Sequence, residues 1–285
     1  MGVSNLVSLY LRMIKFSHSV FALPFAFTAA VLAAGGIPKV REIVLIAAAM
    51  VGARSAAMGF NRIIDRDIDR ENPRTSGREI PAGKVSVRHA VTFSVISLGV
   101  MVAAAYFLNP LCFKLSPLAM CILVGYSYAK RFTPLSHIVL GLAISGAPLG
   151  AWIAIRGSFD PEIVPLVVSV ILWLAGFDIL YALQDIDFDR RSGLHSIPAR
   201  IGAGKALVLS RVLHALTWIL LVWNGYIFSL RAIYLVGMLV VAALLLYEHS
   251  LVREDDLSKL NMAFFNMNGY ISIIVFVSTV TDVLV

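Results

Sequence analysis

The strongest constraint in this sequence is the recurrence of apolar runs about 20 residues long, which match the hydrocarbon thickness of a bilayer when they form helices. Backbone groups in lipid must be paired within the chain, and runs of this length fit helices rather than barrel strands. Hydropathy therefore predicts an all-α bundle of about nine transmembrane helices. Placed to within about four residues, they lie at 17–36, 42–62, 88–108, 111–129, 135–155, 162–184, 204–226, 231–248 and 262–282.

Charged residues are too few for a soluble protein of this size. They make up 14% of the 285 residues, whereas 59% are hydrophobic. Soluble domains contain about a quarter charged residues, so this chain cannot cover itself with a charged surface. The net charge of +7 fits cytoplasmic loops that collect Lys and Arg. We expect the lipid bilayer to be a partner and nucleic acid not to be one.

Basic residues are divided unequally between the loops on the two sides of the predicted bundle. With the N-terminus inside, the cytoplasmic loops contain Arg66, Arg70, Arg74, Arg78, Lys84, Arg88, Lys130, Arg131, Arg190, Arg191, Arg200, Lys205, Arg253 and Lys259. The opposite side contains Lys39, Arg41, Lys114, Arg156 and Arg231. The positive-inside rule predicts a cytoplasmic N-terminus and an external C-terminus. In a bacterium, this orientation predicts a protein of the cytoplasmic membrane.

Two predicted cytoplasmic loops, 63–87 and 185–203, stand out by length and charge. Each follows an apolar helix, begins with a cluster of aspartates and later contains Ile-Pro-Ala, at Ile80–Ala82 and at Ile197–Ala199. This weak repeat predicts a single domain, 1–285, built from two similar halves. Internal repeats in membrane proteins often place the site between the halves.

The aspartates of both clusters have the four-residue spacing that places side chains on one face of a helix. The sets that share a face are Asn61, Asp65 and Asp69 in the first cluster, and Tyr181, Asp185 and Asp189 in the second. Asp67 points elsewhere. A solvated loop, in which neighbouring arginines neutralise the acids, is the alternative interpretation of a single cluster.

Paired carboxylates repel one another, and a divalent cation removes that repulsion. Mg²⁺ prefers hard oxygen ligands and is commonly bound by one or two carboxylates together with substrate phosphates. Two such clusters facing each other would hold Mg²⁺ ions that bridge a diphosphate. Nearby Arg and Lys side chains would bind the remaining phosphate oxygens. The pattern therefore predicts a magnesium–diphosphate site.

Three motifs carry a resemblance to a known family. They are Asn-x-x-x-Asp-x-x-x-Asp at Asn61, Asp65 and Asp69, Asp-x-x-x-Asp at Asp185 and Asp189, and Tyr-x-x-x-Lys-Arg at Tyr126, Lys130 and Arg131. In these motifs the chain resembles the UbiA-type intramembrane prenyltransferases, whose members include 4-hydroxybenzoate polyprenyltransferase. The resemblance covers essentially the whole chain. It implies a helical bundle with a cytoplasmic cap over a central cavity.

The resemblance also implies an activity, which is the transfer of a polyprenyl chain from polyprenyl diphosphate to the ring of an aromatic acid. The implied cofactor is Mg²⁺, bound by Asp65, Asp69, Asp185 and Asp189. Diphosphate binding is expected from Asn61, Arg78, Lys130 and Arg131. The ring faces of Tyr126 and Tyr181 are expected to stabilise an allylic carbocation.

Several positions depart from the pattern common in the family. Arg62 follows Asn61 where many members have Asp, and Glu79 and Ile80 stand where many have Pro and Leu. The segment 15–18, Lys-Phe-Ser-His, replaces the Lys-Pro of many ubiquinone-pathway members. These departures do not affect the aspartates, but they leave the identity of the acceptor substrate open. The alternative acceptor is a dihydroxynaphthoate of menaquinone synthesis.

Two charged residues lie inside predicted helices. Arg54 is two turns before Asn61, and Asp178 is two turns before Asp185. A charge near the bilayer centre costs roughly 2.5–3.5 kcal/mol even on the lenient insertion scale, so each needs a partner or a wet cavity. A mutual ion pair is one explanation. The other is acceptor binding, with Arg54 on the acceptor carboxylate and Asp178 on its hydroxyl.

Other functions remain open at this point. Enzymes that prenylate glycerol phosphate or haem would use the same aspartates with a different acceptor pocket. A transporter of cations or metabolites would place its acids in discontinuous helices near the bilayer midplane. Here the acids cluster at helix ends beside basic loops, which favours diphosphate chemistry.

Overall fold

The structure, a computed structural model, describes residues 3–14 and 19–285, and the regular elements in this part of the chain are helices. The α-helices are α1 (Val3–Met13), α2 (Ser19–Ala34), α3 (Val40–Ile64), α4 (Arg66–Glu71), α5 (Val87–Leu108), α6 (Pro110–Gly125), α7 (Ser136–Arg156), α8 (Val164–Ala182), α9 (Ile186–Arg191), α10 (Ile197–Ile201), α11 (Ala203–Ile227), α12 (Ala232–Leu251) and α13 (Asn268–Leu284). Short 3₁₀ helices span Tyr126–Arg131, Pro161–Ile163 and Leu183–Asp185, and a π-helical segment spans Met262–Met267.

Eight helical stretches among the described residues are long and apolar enough to cross a membrane. The chain is therefore an integral membrane protein with several spans. The predicted count of nine is not confirmed, because the first predicted span corresponds to α2, which has 16 residues and contains Pro24. A helix of that length rises about 24 Å, which is less than the hydrocarbon thickness of about 30 Å. The segment 15–18 lies outside the described residues.

The helices group into two compact units, and the first comprises Met1–Ser19 and Val44–Tyr128. Small residues on α3 let α5 approach closely in this unit. A Cβ added to Gly52 would lie 2.7 Å from the Ser97 carbonyl oxygen, and one added to Gly59 would meet the Ser94 hydroxyl. Small residues at helix interfaces are expected in lipid, because close packing drives helix association there.

The second unit comprises Val20–Ile43 and Ala129–Val285. Its centre is α8, which packs against both α7 and α11 and is the most completely buried of the membrane-length helices. The Trp173 ring of α8 packs in a tilted arrangement against Phe25 of α2, with 4.9 Å between ring centroids. Because α8 is held on several sides, the polar residues at its C-terminal end have fixed positions.

We expect Gly141→Ala to destabilise the packing of α7 on α8. A Cβ at this position would lie 2.6 Å from the Ile171 carbonyl oxygen, and a backbone atom cannot move aside. Overpacking of this kind costs about 1–3 kcal/mol, so thermal unfolding in detergent should show a lower Tm. The control is Gly146→Ala in the same helix, where an added Cβ meets no atom within 4 Å. An equal loss of Tm in the two variants would contradict the account of this interface.

Candidate functional site

The first aspartate motif lies at the junction of α3 and α4. Asn61 is in the last turn of α3, Asp65 joins the two helices at φ −90° and ψ 4°, and Asp69 lies within α4. Backbone hydrogen bonds from Asp65 N to Asn61 O, 2.9 Å, and from Asp69 N to Asp65 O, 2.7 Å, continue the four-residue spacing across the junction. Asp65 and Asp69 are buried at 2% and 3% exposure, whereas the Asp67 side chain is 66% exposed.

Both motif aspartates are held by other side chains of the first unit. Asn61 Nδ2 donates to Asp65 Oδ2 at 3.0 Å and lies 3.3 Å from Ser127 Oγ. Arg78 Nη1 donates to both carboxylate oxygens of Asp69, at 2.7 and 2.8 Å. A charge-assisted contact of this kind is among the stronger hydrogen bonds in proteins. Arg78 therefore compensates the charge of Asp69 in the protein without substrate.

The loop between α4 and α5 brings Arg78 to Asp69. Thr75 Oγ1 donates to the Asp69 carbonyl at 3.1 Å, which fastens the start of the loop to α4. Further along, Ile80 and Val85 are buried in a cluster with Met13 of α1. The loop is thus anchored at both ends, and Arg78 lies between the anchors.

Arg54 lies in α3, two turns before Asn61. Its Nε atom is buried and has no hydrogen-bond partner in the structure. Arg54 is close enough to Tyr126 for an electrostatic interaction, and the Tyr126 hydroxyl donates to the Ala57 carbonyl at 3.5 Å. A buried guanidinium nitrogen without an acceptor is costly, so Arg54 is a candidate for binding an acidic ligand.

Arg62 has a role that its sequence position did not indicate. The side chain is 3% exposed, and its Nε donates to the Met13 carbonyl at 3.2 Å. Met13 is the last residue of α1, where helix carbonyls lack partners and a cation is favourable. The arginine at position 62, where many family members have Asp, therefore anchors the C-terminal end of α1.

The second aspartate motif repeats the backbone arrangement of the first. The 3₁₀ helix that follows α8 ends at Asp185, which has φ −106° and ψ 5°, and the six-residue helix α9 begins directly after it. Asp65 has the same relation to the six-residue helix α4. Both aspartates occupy the bridge region of backbone space, where many active-site residues lie. At both aspartates a six-residue helix therefore begins directly after a residue in the bridge region.

Asp189 of α9 is held by a hydroxyl group instead of a guanidinium. Ser196 Oγ donates to Asp189 Oδ2 at 2.7 Å. Ser196 Oγ also accepts a hydrogen bond from Ala199 N at 3.3 Å and so caps the N-terminus of α10. Lys130 interacts electrostatically with Asp189. Asp189 therefore has hydrogen-bond and cationic neighbours but no bidentate arginine like that on Asp69.

The remaining predicted residues of the second unit lie on three elements. Lys130 and Arg131, both partly buried, end the 3₁₀ helix Tyr126–Arg131. Tyr181, in the last turn of α8, makes an edge-to-face contact with Phe265 at 6.3 Å between centroids. Asp178 is one turn earlier on α8.

Asp178 has a partner that sequence reasoning missed. Its Oδ2 lies 2.7 Å from Nδ1 of His137, which is 4% exposed at the start of α7. The other ring nitrogen, Nε2, accepts from the Ile197 backbone N–H at 3.3 Å. A lone histidine far from either motif carries no spacing signal. Ser196, by contrast, precedes Ile-Pro and has the pattern of a helix N-cap followed by proline in the first turn.

The donor set fits Mg²⁺ bound together with a phosphate substrate. Within the described ranges, no group of three or more His, Cys, Asp or Glu side chains converges to form a cage for a metal ion. Mg²⁺ does not require such a cage, since one or two carboxylates, waters and substrate oxygens complete its shell. Each motif supplies two carboxylates one helical turn apart, which is consistent with that mode of binding.

Comparison with known proteins gives a consistent result. A model of the UbiA prenyltransferase family matches residues 22–270. The 4-hydroxybenzoate octaprenyltransferase of Aeromonas salmonicida is 33% identical over 255 residues, which are 89% of this chain and 87% of that protein. The enzyme of the same name from Vibrio cholerae is 32% identical over 240 residues, 84% of each chain.

Solved structures share the fold. A UbiA homolog from Aeropyrum pernix K1, in its apo form, has a TM-score of 0.84 at 35% identity and covers 93% of this chain and 98% of its own. A UbiA homolog from Archaeoglobus fulgidus, bound to GPP and Mg²⁺, has a TM-score of 0.69 at 21% identity over 96% of this chain and 99% of its own.

We expect Arg62→Met to release α1 from the first unit. The variant removes a buried hydrogen bond from a charged donor, a contact worth about 1.5–3 kcal/mol. Hydrogen–deuterium exchange should become faster in the peptide that covers α1. The control is Arg66→Met, because the exposed Arg66 side chain bonds its neighbour Asp67 at 3.3 Å. Unchanged exchange in α1 of the Arg62 variant would show that this contact does not anchor the helix.

Proposed function

Since this chain belongs to the UbiA prenyltransferase family, we propose that it transfers a polyprenyl chain from polyprenyl diphosphate to the ring of an aromatic acid, releasing diphosphate in quinone biosynthesis. The observation that carries the proposal is the repeated arrangement of two aspartate motifs, each with its carboxylates held at a helix junction. The names of the relatives from Aeromonas salmonicida and Vibrio cholerae support 4-hydroxybenzoate as the acceptor.

In the proposed site, Asp65, Asp69, Asp185 and Asp189 hold Mg²⁺. When bound, Mg²⁺ supplies Lewis acidity that lowers the energy of the departing diphosphate. The buried carboxylates of the first motif favour this role, because a cation compensates their charge. The exposed Asp67 and Asp187 have no part in it.

Arg78 has a particular role in this proposal. It bonds both oxygens of Asp69 in the protein without substrate. When substrate binds, Arg78 would donate to the phosphate oxygens, and Asp69 would then be free to hold the cation. The exchange leaves neither charge uncompensated, which matters in a site of low dielectric constant. Asn61, Lys130 and Arg131 supply further donors to the diphosphate.

The chemical step proceeds through ionisation of the donor. The bond between the allylic carbon and the diphosphate oxygen breaks, and its electron pair leaves with the diphosphate. The ring faces of Tyr126 and Tyr181 stabilise the carbocation, and the apolar surroundings limit its hydrolysis. The electron-rich acceptor ring then attacks the cation, and loss of the ring proton restores aromaticity.

Acceptor binding is proposed for Arg54 and Asp178. The Arg54 Nε has no partner in the structure and suits a carboxylate. Asp178, bonded to His137, suits the acceptor hydroxyl. A dihydroxynaphthoate also has a carboxylate and hydroxyl groups, so it is the second acceptor to test.

We place the catalytic side at the cytoplasm. The loops 63–87 and 185–203, which contain the aspartate motifs, also contain eight Arg and Lys residues, and loops rich in Arg and Lys stay cytoplasmic. In a bacterium the protein then belongs to the cytoplasmic membrane, where both substrates reach it from inside the cell. We also propose that residues 1–285 form a single domain that is built from two weakly similar halves.

We expect Asp65→Asn and Asp185→Asn to lower product formation about 100-fold or more, because each removes charge from the Mg²⁺-binding set. The assay supplies purified protein with an all-trans polyprenyl diphosphate, Mg²⁺ and either 4-hydroxybenzoate or a dihydroxynaphthoate. EDTA should abolish product formation by the wild type. Asp67→Asn and Asp187→Asn are the matched controls within the same clusters and should retain activity. Equal losses in all four variants, or full activity in EDTA, would refute the proposed roles.

Arg54→Met should raise the acceptor KM about 10-fold or more while donor affinity stays constant, because a hydrogen bond to a charged group is lost. The comparison acceptor is 4-hydroxybenzamide, which replaces the carboxylate by a neutral amide. The variant and the wild type should differ far less with this acceptor. A loss confined to donor binding, or one of equal size with both acceptors, would exclude Arg54 as the carboxylate ligand.

A further inference from the structure

The segment before α10 is fastened to the N-terminal end of α7 and to the 3₁₀ helix before it. The His195 backbone N–H donates to the Lys130 carbonyl at 2.7 Å, and Ser136 Oγ donates to the His195 carbonyl at 3.4 Å. Two residues later, the Ile197 N–H donates to His137 Nε2 at 3.3 Å. Residues 195 and 197 are therefore both bound to neighbouring elements, and Ser196 lies between them.

Ser196 is the residue that holds Asp189. Its hydroxyl donates to Asp189 Oδ2 at 2.7 Å while accepting from Ala199 N. A hydroxyl oxygen can do both at once, since it has one proton and two lone pairs. The direction of the bond to Asp189 thus depends on the position of residue 196, and that position depends on the bonds at residues 195 and 197.

The state of His137 follows from its two partners. A backbone N–H can only donate, so Nε2, which faces Ile197 N, must present a lone pair. The ring proton is then on Nδ1 and donates to Asp178 Oδ2, 2.7 Å away. His137 therefore links Asp178 of α8 to Ile197, the first residue of α10. Its 3% exposure means that water cannot easily replace either bond.

We propose that His137 is a positioning residue for the second aspartate motif. Through the Ile197 amide it fixes Ser196, and through Ser196 it fixes the Asp189 carboxylate in the orientation that accepts Mg²⁺. The same imidazole holds Asp178, so one side chain sets the orientation of a carboxylate on α8 and of another on α9. The proposal rests on the function proposed above, because it assigns Asp189 to the metal.

The second aspartate of the first motif is also held by a side chain from the following loop, but by an arginine instead of a serine. There Asp69 is held by Arg78, two residues before the Ile-Pro-Ala segment, and Asp189 is held by Ser196, one residue before the second Ile-Pro-Ala segment. Arg78 supplies its own charge, and Ile80 and Val85 of its loop are buried against Leu9 and Met13 of α1. Ser196 supplies only a hydroxyl, so its orientation depends on the bonds at residues 195 and 197, and His137 provides the bond at residue 197.

The test uses three variants of His137 that separate its two bonds. His137→Ala removes both, His137→Asn retains an N–H near the position of Nδ1, and His137→Gln places a carbonyl oxygen near the position of Nε2. We expect the Ala and Asn variants to lose protection from hydrogen–deuterium exchange in a peptide covering 192–201, and the Gln variant to retain it. This readout requires neither metal nor substrate.

The second readout is the Mg²⁺ concentration for half-maximal product formation. Loss of a residue that orients a metal ligand typically weakens metal binding 10- to 100-fold. We expect a shift of about 10-fold for His137→Ala, His137→Asn and Ser196→Ala, with His137→Gln close to wild type. The double variant His137→Ala/Ser196→Ala should show no larger shift than either single variant, because both act on Asp189 by one route.

The controls are other buried polar residues of the second unit. His214 bonds the Trp173 carbonyl at 3.2 Å and Ser210 bonds the Gly176 carbonyl at 2.8 Å, both within the membrane helices. His214→Ala and Ser210→Ala should lower Tm without changing the Mg²⁺ requirement. An unchanged Mg²⁺ requirement in the His137 variants, or an equal change in the His214 control, would overturn the proposal. A wild type that forms no prenylated product would refute the proposed function instead, and the exchange data would still decide whether His137 holds the segment.

Discussion

The hydrocarbon of a bilayer offers no partner to a charge, and this constraint determines where the chemistry of this protein can lie. An unpaired charge near the bilayer centre costs several kcal/mol, so a charged side chain in a long helix needs a partner. Arg62 binds the end of α1, and Asp178 binds His137. The aspartates of both motifs lie at helix junctions, where the chain leaves the membrane-length helices and polar loops can reach them. The buried Arg54 Nε has no hydrogen-bond partner, which is why we propose that Arg54 binds a charged substrate.

The two Ile-Pro-Ala loops show how one arrangement can hold two carboxylates by different means. In each half, a six-residue helix follows the first aspartate and a loop residue returns to the second. Arg78 compensates the charge of Asp69, so this contact would have to be exchanged if Asp69 held the proposed Mg²⁺. Ser196 donates a hydrogen bond to Asp189 without neutralising its charge, so Asp189 would need no such exchange. The two motifs thus have similar sequences but unequal electrostatics, and we expect them to contribute unequally to metal binding.

The sequence predicted the structural features that are marked by hydrophobic runs or by regularly spaced motif residues. Apolar runs predicted the long helices, and the four-residue spacing separated Asp65 and Asp69 from the exposed Asp67. The length of the first span was less accurately predicted. Hydropathy predicted a span over 17–36, whereas α2 has 16 residues. Spacing also could not show that α3 ends before Asp65, since backbone hydrogen bonds keep the four-residue interval across that junction. The sequence did not indicate the roles of His137 and Arg62. Their partners are the Ile197 N–H and the Met13 carbonyl. These backbone groups are distant in sequence, and every residue type could supply them, so no motif or spacing reveals the contacts.

The central claim is that the carboxylates of the two motifs hold the donor's diphosphate through Mg²⁺. The most direct test is a calorimetric titration of the purified protein with a polyprenyl thiodiphosphate, which binds like the donor but does not ionise readily. We expect the affinity to rise with Mg²⁺ concentration, to fall at least about 10-fold in EDTA, and to lose its Mg²⁺ dependence when Asp65 and Asp185 are both changed to Asn. Equal affinity with Mg²⁺ and with EDTA would contradict it, because the diphosphate would then be bound by the basic residues alone.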